Sequence, residues 1–310
     1  MADKAETPGK PAQPAKSAKS AKKAGGGMKP DLATIGGLVL AVGGILTGLM
    51  MEGGKIKDVA QVTAALIVLG GTLGAVMVTS PTPVIMRAVK KLVLVFFDRA
   101  QPIGETIDDI IGYATQARKQ GIVSLEQQTA NIPDPFLKKA LNLAVDGIDM
   151  VQIKSIMELE INLLEQDGEA EAKVFEAAGG YSPTVGIIGA VLGLIQVMKN
   201  LANIDEVGRG IAVAFVATVY GVGVANLFFL PAAGKLRARL HDMVRTRELM
   251  LEGVLSLVEG LNPKLIRTKL DAYTNGAPAP KAKAAKKPAP GKAAKESKVE
   301  APETVGVGGD

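Results

Sequence analysis

Residues 183–231 read PTVGIIGAVLGLIQVMKNLANIDEVGRGIAVAFVATVYGVGVANLFFLP. Two apolar runs, 183–201 and 210–231, each tied to a proline, flank a short polar turn. At about 1.5 Å per helical residue, each run reaches about 30 Å, the thickness of a bilayer's hydrocarbon core. The polar groups inside them are mild: Thr184, Gln196, Thr218, Tyr220 and Asn226. Neither run contains an acid that could carry a proton through lipid. If this hairpin lines an ion path, the ionisable group has to come from another chain.

Two further runs precede it, LATIGGLVLAVGGILTGLMM at 32–51 and VAQVTAALIVLGGTLGAVMVT at 59–79, both free of charge and about a bilayer thick. A cleaved signal sequence is the competing reading of the first, because a basic stretch precedes it. A signal's apolar region is shorter and ends in small residues, whereas this run ends in Met50, Met51 and Glu52, which favours a retained helix. The chain of 310 residues has 36 glycines and only 4% aromatics, a composition suited to close-packed membrane helices. The fold class expected is all-α, a polytopic inner-membrane protein with four transmembrane helices and a helical cytoplasmic domain. Gly44 with Gly48, Gly70 with Gly74, and Gly189 with Gly193 put small surfaces on one face of three spans, as a tight assembly of helices requires.

Lysine and arginine set the orientation. Residues 1–30 carry 7, residues 82–182 carry 10 and residues 233–310 carry 15, against four near the turns at 52–57 and 202–208. By the positive-inside rule the two turns face outward, and both termini and the middle segment are cytoplasmic. The local cluster Arg87, Lys90, Lys91 and the pair Arg237, Arg239 carry most of that weight.

The resulting division is a disordered basic tail at 1–30, spans one and two at 31–80, and a cytoplasmic helical domain at 81–182. Spans three and four follow at 183–232, then a cytoplasmic helix at 233–274 and a second disordered tail at 275–310. Within the middle segment, Ile103, Ile107, Ile110, Ile111, Ala114 and Ala117 predict a helix stopped by Gly121, and NIPDP at 131–135 breaks the chain. Helices are then expected over 134–145 and 149–178, and a basic amphipathic one over 232–261. No strand pattern is visible. The tails are Ala, Lys, Pro and Gly with almost no large apolar groups, too little to fold. Their lysines suit anionic lipid headgroups, and without interleaved aromatics or arginines they do not suit nucleic acid.

No catalytic constellation is present in the sequence, and no cofactor is expected. Cysteine is absent and His241 is the sole histidine, which excludes thiol chemistry and multi-histidine metal sites. His241 lies among Arg237, Arg239, Asp242 and Arg245, on what reads as a solvated helix face. No Walker loop or dinucleotide fingerprint occurs.

Tyr181-Ser182-Pro183-Thr184-Val185-Gly186, followed by GAVLGLIQVM, resembles the third span of the MotA family of flagellar motor stator proteins. The resemblance extends over about residues 30–270. It includes RKQGIVSLEQQ at 118–128, LAVDGIDMVQIKSIMELEI at 143–161 and AVAFVATVYGVGVANLFFLP at 212–231. It implies a stator subunit that forms an ion channel with a MotB-type single-span, peptidoglycan-binding partner, in a homo-oligomer of five copies, and turns ion-motive force into torque on the rotor protein FliG. Pro183 and Pro231 align with the family's coupling prolines, Thr218 with the hydroxyl facing the partner's aspartate, and Tyr220 lies on the same span. Arg118 and Glu126, with Lys119 as helper, align with the rotor-contacting charges. Sodium-driven relatives often carry a threonine where this chain has Ala190, which points to protons over Na⁺ as the transported ion. The related ExbB and TolQ proteins are the alternative, disfavoured by the fourth span and the Tyr-Ser-Pro-Thr sequence; a non-conducting membrane scaffold is another.

Overall fold

The computed structural model describes residues 29–98 and 103–274, so the tails expected to be disordered lie outside the described residues except for Lys29 and Pro30, which are ordered in a short strand. Helix α1 (Leu32–Met51) is capped by the Asp31 carboxylate, which accepts from the amides of Ala33 and Thr34. After the short α2 (Ile56–Val59), α3 (Val62–Thr79) returns with Ala64, Val68, Thr72 and Val76 buried along one face. The amphipathic α4 (Thr82–Phe96) follows, with Pro in its first turn. Asp134 and Asp149 cap α7 (Pro135–Val145) and α8 (Met150–Lys199) with their side chains.

Among the described residues, four helices are long and apolar enough to cross a membrane. Two of them run far beyond it. Helix α8 (Met150–Lys199) is 50 residues long, about 75 Å, and keeps Pro183 in its interior. The helix expected over 149–178 therefore does not stop at Ala178; it continues into the third span. The fourth span, α9 (Ile204–Val224), passes through a π turn at Ala225–Phe229 into α10 (Leu230–Val258). Pro231, expected to close this span, sits in the first turn of α10 instead. In the π turn the Leu230 amide reaches back to the Ala225 carbonyl, five residues away, so the helical register has already shifted when Pro231 arrives without an amide.

The parts of α8 and α10 beyond the apolar runs share a core with α5 (Ile103–Gln120), α7 (Pro135–Val145) and α11 (Pro263–Asp271). Ile107, Ile110 and Ala114 of the predicted stripe on α5 are buried there, together with Phe136, Met157 and Leu249. Gly121 ends α5 with φ 84°, and Glu126 opens the short α6 (Glu126–Thr129). The strand-free expectation is corrected at one point, a two-residue antiparallel ladder of β1 (Lys29–Pro30) with β2 (Phe97–Asp98). The fold remains all-α. The ladder ties the foot of α1 to the end of α4, where the Asp31 amide also donates to the Phe96 carbonyl at 2.8 Å.

Small residues bring the membrane halves of α8 and α9 into backbone contact. Gly179, Ser182, Gly186, Gly189 and Gly193 are buried on α8, and Gly210, Ala214, Ala217 and Gly221 on α9. A Cβ on Gly193 would lie 2.7 Å from the Gly210 carbonyl oxygen, and one on Gly186 only 3.1 Å from the Gly221 Cα. Of the three glycine pairs picked out in sequence, only Gly189 and Gly193 meet another helix. Cβ atoms on Gly44, Gly48, Gly70 and Gly74 would meet nothing within 4 Å, because in α3 it is Gly71, against Val185, that faces the hairpin. Gly193→Val is therefore expected to block hairpin closure, at a cost above the ~1–3 kcal/mol of ordinary overpacking since backbone atoms cannot yield. Gly44→Val has no such clash. Membrane abundance and thermal unfolding of the two variants test the contrast.

Candidate functional site

The expected ion-path residues lie along the α8–α9 hairpin. Thr218 is half-buried, and its hydroxyl donates to the Ala214 carbonyl at 3.1 Å within its own helix. Its oxygen lone pairs are left to accept from another group. Ala190 and Pro183 are half-buried on α8, while Pro231 is exposed just after the π turn. Tyr220 is engaged in bracing the fold: its hydroxyl donates to the Val59 carbonyl at 2.5 Å and accepts from the Gln61 amide at 3.3 Å. That pair of bonds fixes the turn between α2 and α3 onto α9.

Arg118 and Lys119 end α5, and Glu126 begins α6 just after the Gly121 turn. All three are exposed, and no ion pair holds any of them among the described residues. The surface beneath is fixed by polar contacts: the Gln116 side-chain amide donates to the Ser124 carbonyl at 3.1 Å, and that of Gln128 to the Gln116 side chain at 2.5 Å. Buried Leu125 and Thr129 anchor the same segment. Rigid backbone thus presents free charges of both signs from one short stretch.

Two ionic clamps join α8 to α4 and the foot of α1 to α10, and neither was read in the sequence. On α8, Glu171 is 3% exposed and pairs with Lys91 at 2.5 Å and Arg87 at 3.3 Å, both on α4. At the foot of α1, Asp31 pairs with Lys235 at 2.5 Å and Arg239 at 3.5 Å on α10. Arg239 also donates to the Phe97 carbonyl. The basic clusters used for orientation therefore have intrachain acids as well. A carboxylate separated by dozens of residues from its partners leaves no local pattern, so only the fold could reveal these pairs.

Similarity to known proteins follows the same outline. Residues 35–116 match the Motility protein A N-terminal model, and residues 128–249 match the MotA/TolQ/ExbB proton channel family. Motility protein A of Bacillus subtilis (strain 168) is 36% identical over 244 residues, 78% of this chain and 90% of the relative. The chain belongs to the motility protein A family. Within the family, the solved structure of C. jejuni MotAB superposes with a TM-score of 0.77 at 34% identity, covering 80% of this chain and 98% of that one. The flagellar MotAB stator complex from Bacillus subtilis gives 0.73 at 36% identity, covering 78% and 95%. This MotA family member is a multi-pass membrane protein.

The Asp31 clamp has a defined pH signature. Lys235, and then the backbone amide of Thr34, hold the Asp31 carboxyl well below the usual carboxylate range. A depressed carboxyl contributes stability above its unfolded pKa and loses it only as pH falls through the folded value. Thermal stability of the wild type should therefore show no Asp31 transition between pH 5 and pH 8. Asp31→Asn should lower it across that whole window, and circular-dichroism melts at stepped pH check this.

Proposed function

We propose that this chain is a stator subunit of the bacterial flagellar motor, which forms with a MotB-type partner an ion channel that converts ion-motive force into torque. The observation carrying the reading is a hairpin built to bilayer length around a half-buried Thr218 hydroxyl, with no acid in any of its apolar runs. A path of this kind is incomplete alone. A carboxylate on a single-span partner anchored in peptidoglycan completes it.

The Thr218 oxygen, its own proton directed to Ala214, is suited to accept from that carboxyl when protonated. Ala190 supplies no oxygen ligand for a desolvated hard cation, so the transported ion is H⁺. Tyr220 holds the outer end of α9 against the α2–α3 turn, which keeps the wall of the path fixed. Pro183 and Pro231 place weak points in the two helices that run from membrane to cytoplasm. Five copies surround the partner's spans in the inner membrane, with both termini cytoplasmic. The segment 81–182 faces the rotor, where Arg118 and Glu126, helped by Lys119, meet opposite charges on FliG. Exposed unpaired charges steer and release a partner quickly, as a repeatedly broken contact needs.

Motility in cells that depend on this protein should collapse with a protonophore and persist when sodium is withdrawn; strict sodium dependence would sink the proton assignment. Reversing Arg118 and Glu126 together should lower swimming sharply, since like charges facing across an interface cost several kcal/mol. Unchanged torque in bead assays of that double variant removes the rotor-contact assignment.

A further inference from the structure

We infer that Ser182 is a positioning residue that pins the proline turn of α8 to the π turn between α9 and α10, making the two irregular turns one mechanical joint. This rests on the stator reading above. Ser182 is 0% exposed, directly precedes Pro183, and its hydroxyl donates to the Gly221 carbonyl at 2.9 Å. The same carbonyl accepts from the Ala225 amide, the residue at which the register changes from α to π. The hydroxyl therefore acts on the carbonyl at the start of the register change.

The contact is tight as well as polar. A Cβ on Gly221 would lie 2.6 Å from the Ser182 carbonyl oxygen, so the two backbones touch at this level. One turn back along α8, a Cβ on Gly179 would lie 2.6 Å from Leu230 Cδ2 and 3.5 Å from Phe229 Cβ. The stretch of α8 from Gly179 to Ser182 thus brackets the whole π turn, with Ser182 at its entrance and Gly179 at its exit. Pro183 removes the amide that would close the α8 turn on the Gly179 carbonyl, so the bracket is itself compliant. Two soft turns in contact would slip independently without a directional bond between them. Among the described residues, the only other side-chain hydrogen bond across the hairpin is Asn200 to Glu206 at its turn, so the Ser182–Gly221 bond is the one that acts at the level of the π turn.

A π turn can migrate or revert to α by exchanging one carbonyl acceptor for the next. Holding Gly221 from α8 biases that exchange, so movement at Pro183 is transmitted to Pro231 and on into α10. Ser182→Ala removes the donor without adding volume to a buried site.

The test uses the full chain with its MotB-type partner, in a strain lacking its own stator and as the purified complex in lipid nanodiscs. Ser182→Ala is expected to be recruited to motors like wild type, while amide exchange across residues 222–230 rises about fivefold, the scale of one ordinary hydrogen bond. Torque per recruited unit is expected to fall alongside. Wild-type exchange at 222–230 overturns the inference, as does a drop in complex yield with torque per unit unchanged. If Ser182→Ala does not accumulate, Ser182→Cys, with its weaker donor, is measured instead, and exchange equal to wild type overturns the inference in the same way. Failure of the wild-type chain and partner to restore rotation would remove the stator reading, and the exchange measurement would still judge the joint.

Discussion

Backbone contact between α8 and α9 is the constraint from which the rest of this structure follows. Lipid offers no hydrophobic drive for one apolar helix to leave lipid for another, so association depends on close van der Waals approach and on buried hydrogen bonds. Gly186 against Gly221 and Gly193 against Gly210 provide the approach, and Ser182 provides the bond. Because both helices run on beyond the apolar runs, the contact also sets the relative position of their other halves. The core around Met157, Ile161, Leu240 and Val244 is laid down by the same two rods. A change in their crossing within the bilayer has no loop in which to dissipate before it reaches α5 and α7.

The two ionic clamps attach the remaining helices to this frame. Helix α1 buries no residue within the chain, so its position rests on Asp31, the two-residue ladder and its contacts with α4 and the π turn. Glu171 is nearly fully buried, while Arg87 and Lys91 remain 47% and 32% exposed. Desolvation therefore falls mainly on the carboxylate, which has two cations to offset it. Removing Glu171 would leave Lys91 to water and Arg87 with Asp167 at 3.1 Å, at modest cost; removing both cations would strand a buried anion at a larger one. The asymmetry makes α8 dependent on α4 more than α4 on α8.

Much of this architecture was legible from residue patterns. Uniform apolar runs gave the spans, because only a helix satisfies its own backbone in lipid; the isoleucine spacing at 103–111 gave α5, and Asp134-Pro135 the start of α7. What could not be read was continuity. Pro183 and Pro231 looked like ends because a proline in an isolated helix is costly, yet in a packed one the neighbouring helix and a shifted register absorb it. A π turn has no compositional signature, and 225–229 is ordinary apolar sequence. The small-residue stripe on α8, at 179, 182, 186, 189 and 193, was open to discovery, since these positions recur every three or four residues along one face. Reading glycine pairs alone instead of all small residues hid Ser182, and within this chain Gly44 and Gly70 meet no other helix. Long-range pairs such as Asp31 with Lys235 and Tyr220 with Val59 lie beyond any local pattern.

The faces left open carry the final step. Phe215, Val219 and Val222 on α9 and Ile187, Val191 and Leu194 on α8 are exposed apolar residues of the hairpin, opposite the glycine stripe that binds the two helices. Helix α1 is likewise uncovered. Hydrocarbon can cover any of these faces, so exposure does not by itself require a protein neighbour. Thr218 is different. A half-buried hydroxyl whose proton is already given to its own helix keeps acceptor capacity that lipid tails cannot meet. In a hairpin whose apolar runs hold no acid, that open acceptor is the chemical ground for the proposal that a protonated carboxyl of another chain lies opposite it.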